Sequence, residues 1–203
     1  MSLLFICSLF MIYWFYYRLG EKTLKRIGQW LLICASIMVL AGCGNDDADF
    51  SIFITDSSQS PSEIREPLEQ KLQEKFGEDP KVAVTASALY VEQKVLVEYA
   101  AGEHEIIIVP EDILKRYSQQ GAHRVLDQEF DSAKFPEGVI EAGVTDEETN
   151  EIVIEKHLFA IPLSKMKIFQ DMDYPTEGLF ATIPFSTNSV ENSVKALKFM
   201  IGE

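Results

Sequence analysis

Glu105-Ile106-Ile107-Ile108-Val109-Pro110 decides how this chain is read. The apolar residues run without a polar break. That belongs to a strand buried on both faces, as in a parallel sheet, and Pro110 ends it. Upstream, residues 87–101 read as a helix stopped by Gly102, and residues 81–86 as a strand. Before these, Ile64, Leu68, Leu72 and Phe76 are spaced by four, and Gly77 follows them. They predict a helix over 61–76 with one buried face. Pro61 suits its first turn, and Ser60 or Ser62 can cap it. Residues 50–55 alternate in part and form the first strand. Downstream, 111–120 is a third helix stopped by Gly121, and 122–126 a short edge segment. The repeated order of strand then helix predicts an α/β fold with a mainly parallel central sheet flanked by helices.

Beyond residue 127 the pattern weakens. Residues 128–150 are acidic with little periodicity, and 151–155 alternate like a strand or hairpin arm. Residues 157–163 read as a strand broken by proline, and 165–170 and 178–183 as two more short strands. The chain closes with a helix over 189–201, with Val190, Val194, Leu197 and Ile201 on one face. There is no internal repeat and no low-complexity stretch.

Ahead of the first strand stands Leu40-Ala41-Gly42-Cys43. Lys22, Lys25 and Arg26 precede an apolar run over 27–40 in which Gln29 is the strongly polar interruption. A positive end, an apolar stretch and small residues before a cleavage point are the order a signal segment needs. The stretch resembles the lipobox of bacterial lipoproteins. The resemblance implies a thioether-linked diacylglycerol on Cys43, cleavage before it, and a place on the extracytoplasmic face of the cell membrane. The chain then divides into a signal segment (1–42), a lipidated cysteine with a short tether (43–49) and one domain (50–203). The six tether residues after Cys43 reach roughly 20 Å when extended. Residues 1–17 form a second apolar run, for which two readings stand. One is a transmembrane helix. The other, which we prefer, is translation starting at Leu24 from a UUG codon, behind a purine-rich Gly20-Glu21.

The 203-residue chain carries a net charge of −14. Removing a segment of net charge +3 leaves −17 on the 161 residues from Cys43 onward, a length that suits one domain with a real core. So acidic a surface argues against nucleic acid and anionic lipid headgroups, and first of all serves solubility. Cys7 and Cys34 lie in the apolar segments, so processing leaves Cys43 alone. That excludes an intramolecular disulfide and a cysteine-based metal site.

Four passages carry a further resemblance. The first is the opening strand, amphipathic helix and second strand. The second is Gln93-Lys-Val-Leu-Val-Glu-Tyr-Ala-Ala-Gly102 followed by Glu105-Ile-Ile-Ile-Val-Pro110. The third is Gln120-Gly121-Ala122 with Leu126-Asp127, and the fourth is Leu158-Phe-Ala-Ile-Pro-Leu163. Together they resemble the extracellular solute-binding lipoproteins of ABC importers over roughly residues 50–165. The resemblance implies a periplasmic-binding-protein-like lobe, a small-molecule ligand and an ABC permease as partner. Members of that family have two lobes that close on the ligand. Residues 163–203 leave no room for a second, so one lobe offers only a half-open site.

No His-Glu-x-x-His, Gly-x-Ser-x-Gly or phosphate-cradling glycine loop is present, and His104, His123 and His157 lack metal spacing. Each histidine reads as a surface or strand-edge residue. The acidic runs 127–131 and 146–150 lack the twelve-residue calcium-loop pattern and read as solvated loops. Neither a cofactor nor a metal is expected, and an enzyme is not expected. A binding site in a parallel sheet lies beyond the carboxyl ends of its strands. That selects Asp56 and Ser57 after the first strand, Ser87 and Tyr90 after the second, and Glu111 after the third, with Thr55 and Pro110 beside them. The expected function is non-catalytic: a membrane-anchored solute-binding-like or transporter-accessory lipoprotein. The alternative is a structural or interaction lipoprotein that has lost its ligand.

Overall fold

The computed structural model describes residues 48–56, 61–87, 91–146, 149 and 151–203. Strand β1 (Phe50–Thr55) is followed by helix α1 (Pro61–Phe76), β2 (Val82–Ser87), α2 (Glu92–Ala101), β3 (Ile106–Pro110) and α3 (Glu111–Ser118). Then come a hairpin of β4 (Val139–Thr145) and β5 (Ile152–Leu158), strand β6 (Ala160–Pro162), helix α4 (Lys167–Asp171), strand β7 (Leu179–Thr182) and helix α5 (Val190–Ile201).

The main sheet has the order β2-β1-β3-β7-β6. Strand β1 pairs in parallel with β2 and with β3. Alternate residues of the central strands enter two different cores, as the period of two requires. Ile52, Ile54, Ile106 and Ile108 pack with Ile64, Leu68 and Leu72 of α1 and with Leu197 and Met200 of α5. Phe53, Ile107 and Val109 pack on the other face with Val95 of α2 and Ile113, Leu114 and Tyr117 of α3. This is why the Ile-Ile-Ile-Val run is unbroken: β3 has no solvent face to give a polar residue. The outer edge of β2 is covered by α1. Gln73 Oε1 accepts from the Val82 N–H at 2.8 Å, and Glu69 Oε2 accepts from the Val84 N–H at 3.0 Å.

The sheet is mixed and not mainly parallel, a correction to the sequence reading. Strand β7 runs antiparallel to β3, and β6 antiparallel to β7. A parallel neighbour needs a crossover of a dozen or more residues back to the same end of the sheet. The β6-to-β7 connection, residues 163–178, is long enough for such a crossover; it folds into α4 and returns the chain from the end it has just reached, so its length alone does not set the pairing direction. A second correction concerns residues 165–170, read as a strand. They run into α4, with Met166 just before it and Phe169 inside it fully buried at helical spacing and Ile168 buried beside them. The stretch 128–150, which gave little signal, holds β4. At its Gly143 a Cβ would sit 2.6 Å from Ile152 Cγ2 on β5, and 2.9 Å from the Gly121 nitrogen and 3.0 Å from the Gln119 carbonyl oxygen just past α3. The expected edge segment over 122–126 is a single bridge between His123 and Pro184. Among the described residues, no helix is long and apolar enough to cross a membrane.

Candidate functional site

The parallel half of the sheet brings the ends of β1 and β2 to one edge, where Thr55 lies opposite Ser87 in register. Both are buried, as is Asp56. The Thr55 hydroxyl has no hydrogen-bond partner among the described residues. Asp56 receives a short hydrogen bond from the Tyr174 hydroxyl, supplied by the loop after α4. Burial, then the bond to Asp56 and its charge, push the Tyr174 hydroxyl well above the usual tyrosine range. The Tyr174 ring is fixed in turn against Phe169, with centroids 5.9 Å apart.

Tyr174 also forms one wall of a cleft of about 300 Å³, with Glu63, Ile64 and Pro67 of α1 opposite Met172, Asp173 and Pro175. Two features make this cleft rich in acceptors. Glu63 and Asp173 contribute carboxylates with no basic residue on the lining. Pro67, inside α1, has no N–H to give the Glu63 carbonyl one turn earlier. Asp173 holds a left-handed backbone, φ 52°, which an aspartate tolerates better than most residues.

Among the residues selected from sequence, Asp56 and Ser87 thus share the edge as interior groups, closed over on the β1 side by Tyr174. Glu111 faces solvent, where Lys115 pairs with it at 2.5 Å one turn along α3. Its backbone N–H is held by the Gly178 carbonyl at 3.0 Å. Ser57, Tyr90 and the lipidation residue Cys43 lie outside the described residues. Sequence reasoning missed Tyr174, Glu63 and Asp173. Tyr174 comes from a loop 118 residues away from Asp56, and no local pattern could have linked them.

The histidines correct the sequence reading as well. His104 and His123 are buried, not surface residues. His104 stacks on Phe53 and bonds Ser51 Oγ at 2.8 Å and Glu98 Oε2 at 3.0 Å. His123 meets the Tyr99 ring edge-on at 5.4 Å, and Tyr99 stacks on Tyr117 at 4.8 Å. Neither ring nitrogen of His123 reaches a hydrogen-bond partner among the described residues, and the Tyr99 hydroxyl is buried without one. Burial pushes the His123 imidazole down to about 4, with the nearby Leu114 backbone opposing in part. His157 is half-exposed between Asp127 at 2.7 Å and Glu155 at 2.8 Å. The bond to Glu155 is the largest cause of its raised pKa. The acidic run 127–131 is likewise more than a solvated loop: Asp127 accepts from the Leu158 N–H, and Asp131 caps the turn at Ala133. Among the described residues, no group of three or more His, Cys, Asp or Glu side chains could hold a metal ion.

No protein-family model matches the chain, and no curated protein or solved structure is significantly similar to it.

Proposed function

We propose that the chain is a lipid-anchored lipoprotein of the extracytoplasmic membrane face, with a non-catalytic, solute-binding-like or transporter-accessory role. One observation carries this reading. Leu40-Ala41-Gly42-Cys43 stands directly before an α/β domain whose parallel strands end together beside an open cleft. Ligands of α/β sheets bind beyond such strand ends. The acceptor-rich lining suits a small ligand bearing amine or hydroxyl donors and disfavours an anion. The cleft is open to solvent, so burial of a ligand in it is incomplete, and affinity on the order of micromolar or poorer follows.

A thermal-shift screen of amines, sugars, short peptides and metal ions tests this reading. A ligand at about 100 times its Kd stabilises by about 2.7 kcal/mol. A shift of several degrees that disappears in Glu63→Gln supports the reading. A screen without shifts favours the interaction lipoprotein, for which one observation speaks: Asp56 is already engaged by Tyr174 inside the protein.

A further inference from the structure

Strands β4 and β5 form a two-stranded sheet of their own. Two bonds fix the phase of their ladder: Asp146 N–H to the Glu151 carbonyl at 2.9 Å, and Phe159 N–H to the Gly138 carbonyl at 3.0 Å. In an antiparallel pair the residues that bond across alternate with those whose N–H and C=O point away. Residues 151, 153, 155 and 157 therefore face β4, and Ile152, Ile154, Lys156 and Leu158 direct their backbone groups outward. The outward groups of Leu158 are already used. Its N–H reaches the Asp127 carboxylate at 3.3 Å, and its carbonyl accepts from the Leu126 N–H at 2.8 Å. Among the described residues the open edge is thus confined to Ile152, Ile154 and Lys156. Ile152, Val153 and Ile154 are 50%, 46% and 54% exposed. Open apolar edges template pairing with another chain unless charge, proline, a bulge or a covering element blunts them. On β2 the α1 side chains do the covering; on β5 charges stand only at the flanks, at Glu151, Glu155 and Lys156, and among the described residues no proline, bulge or covering element protects 152–154.

We propose that β5 pairs antiparallel with β5 of a second copy of this chain, about a two-fold axis through Ile154, giving a continuous sheet β4-β5-β5-β4. Residues facing each other across an antiparallel pair point to the same side of the sheet. A two-fold axis normal to the sheet must then pass through one residue, and three choices are in reach. An axis at Val153 sets Glu151 against Glu155 and pairs Lys156 with position 150, outside the described strand. An axis at Glu155 sets that carboxylate against itself and leaves Ile152 open. The axis at Ile154 satisfies every open N–H and C=O, because the open residues are centred there. It also places Ile154 against Ile154, lays the Lys156 stem along Ile152, and sets Glu151 opposite His157, which its own neighbours favour in the charged form. No like charges stand directly opposite each other in this register.

Disulfide trapping in the purified full chain, held in mild detergent, tests the register. Cysteine is placed in turn at positions 152, 153, 154 and 155, and the wild-type chain with its own Cys7, Cys34 and Cys43 sets the background. Copper phenanthroline is the oxidant, and non-reducing gels give the readout. Bonded facing residues lie about 5.5 Å apart between Cα atoms, within disulfide reach. Position 152 lies about 13 Å from its counterpart, four residues along the strand, and out of reach. The expected result is a dimer above background at 154 alone. Sedimentation should also show Ile154→Lys weakening the dimer at least about tenfold in Kd, because like charges then meet on the axis. A maximum at 152, 153 or 155, or a monomer at all concentrations, overturns the proposal.

Discussion

Acid should destabilise this protein through His123, and the effect can be isolated. The ring is 3% exposed, with both nitrogens unpartnered. Its pKa falls from an ordinary 6.5 to about 4 in the folded chain because burial disfavours the cation. The unfolded chain therefore takes up the proton first. Stability is intact above the unfolded value and falls as pH drops from there toward the folded one. With these two values, linkage gives a loss of about 2 kcal/mol between pH 7 and pH 5 from this one group. In a domain of this size that corresponds to about 4–8 °C in Tm. The informative variant is His123→Phe, which keeps a ring against Tyr99 and cannot titrate. It also removes two buried unpartnered nitrogens, so it should be no less stable than wild type at pH 7. Urea unfolding of both proteins at pH 7 and pH 5 is the assay. His157, whose pKa is raised, contributes stability below its unfolded value and loses it as pH rises through the folded one. It is present in both proteins and drops out of the comparison. The wild type should lose about 2 kcal/mol more than the variant between the two pH values. An equal loss in both would refute the account of His123 as a buried neutral ring.

Other substitutions test the remaining contacts. Tyr174→Phe strips the hydroxyl from buried Asp56 and should cost about 1.5–3 kcal/mol in urea unfolding; an unchanged midpoint would mean that bond contributes nothing. Gly138→Ala would place a Cβ 1.8 Å from the Ala160 carbonyl oxygen, so β6 must shift. A loss of at least about 1–3 kcal/mol is expected, and a neutral variant would contradict the close approach. Leu68→Ala, fully buried beneath the sheet, should cost about 2–5 kcal/mol, and a smaller loss would show that α1 collapses onto the gap.

What could be read in the sequence followed from periodicity. The four-residue spacing of Ile64, Leu68, Leu72 and Phe76 gave α1, and the unbroken 106–109 run gave a strand with two covered faces. Pairing direction was not legible, because β7 looks the same locally whether it runs with or against β3. Strand β4 was hidden by Ala142 and Gly143, which carry little strand signal; at Gly143 the close approach of residues 119–121 leaves no room for a side chain. The histidines were misjudged because burial of His104 and His123 depends on ring packing, stacked on Phe53 and edge-on to Tyr99, residues distant in sequence. At the candidate site the strand-end rule found Asp56 and Ser87. It could not find Tyr174, whose position is set by the packing of α4 and not by any motif.

The central claim is a lipid anchor on Cys43 carrying an extracytoplasmic α/β domain. Metabolic labelling of bacteria with an alkyne fatty acid, comparing wild type with Cys43→Ala, tests it most directly. The account predicts a labelled, membrane-bound wild type, and an unlabelled variant that accumulates as the larger, uncleaved precursor. A wild type that takes up no label, or a variant labelled as strongly as wild type, would contradict it.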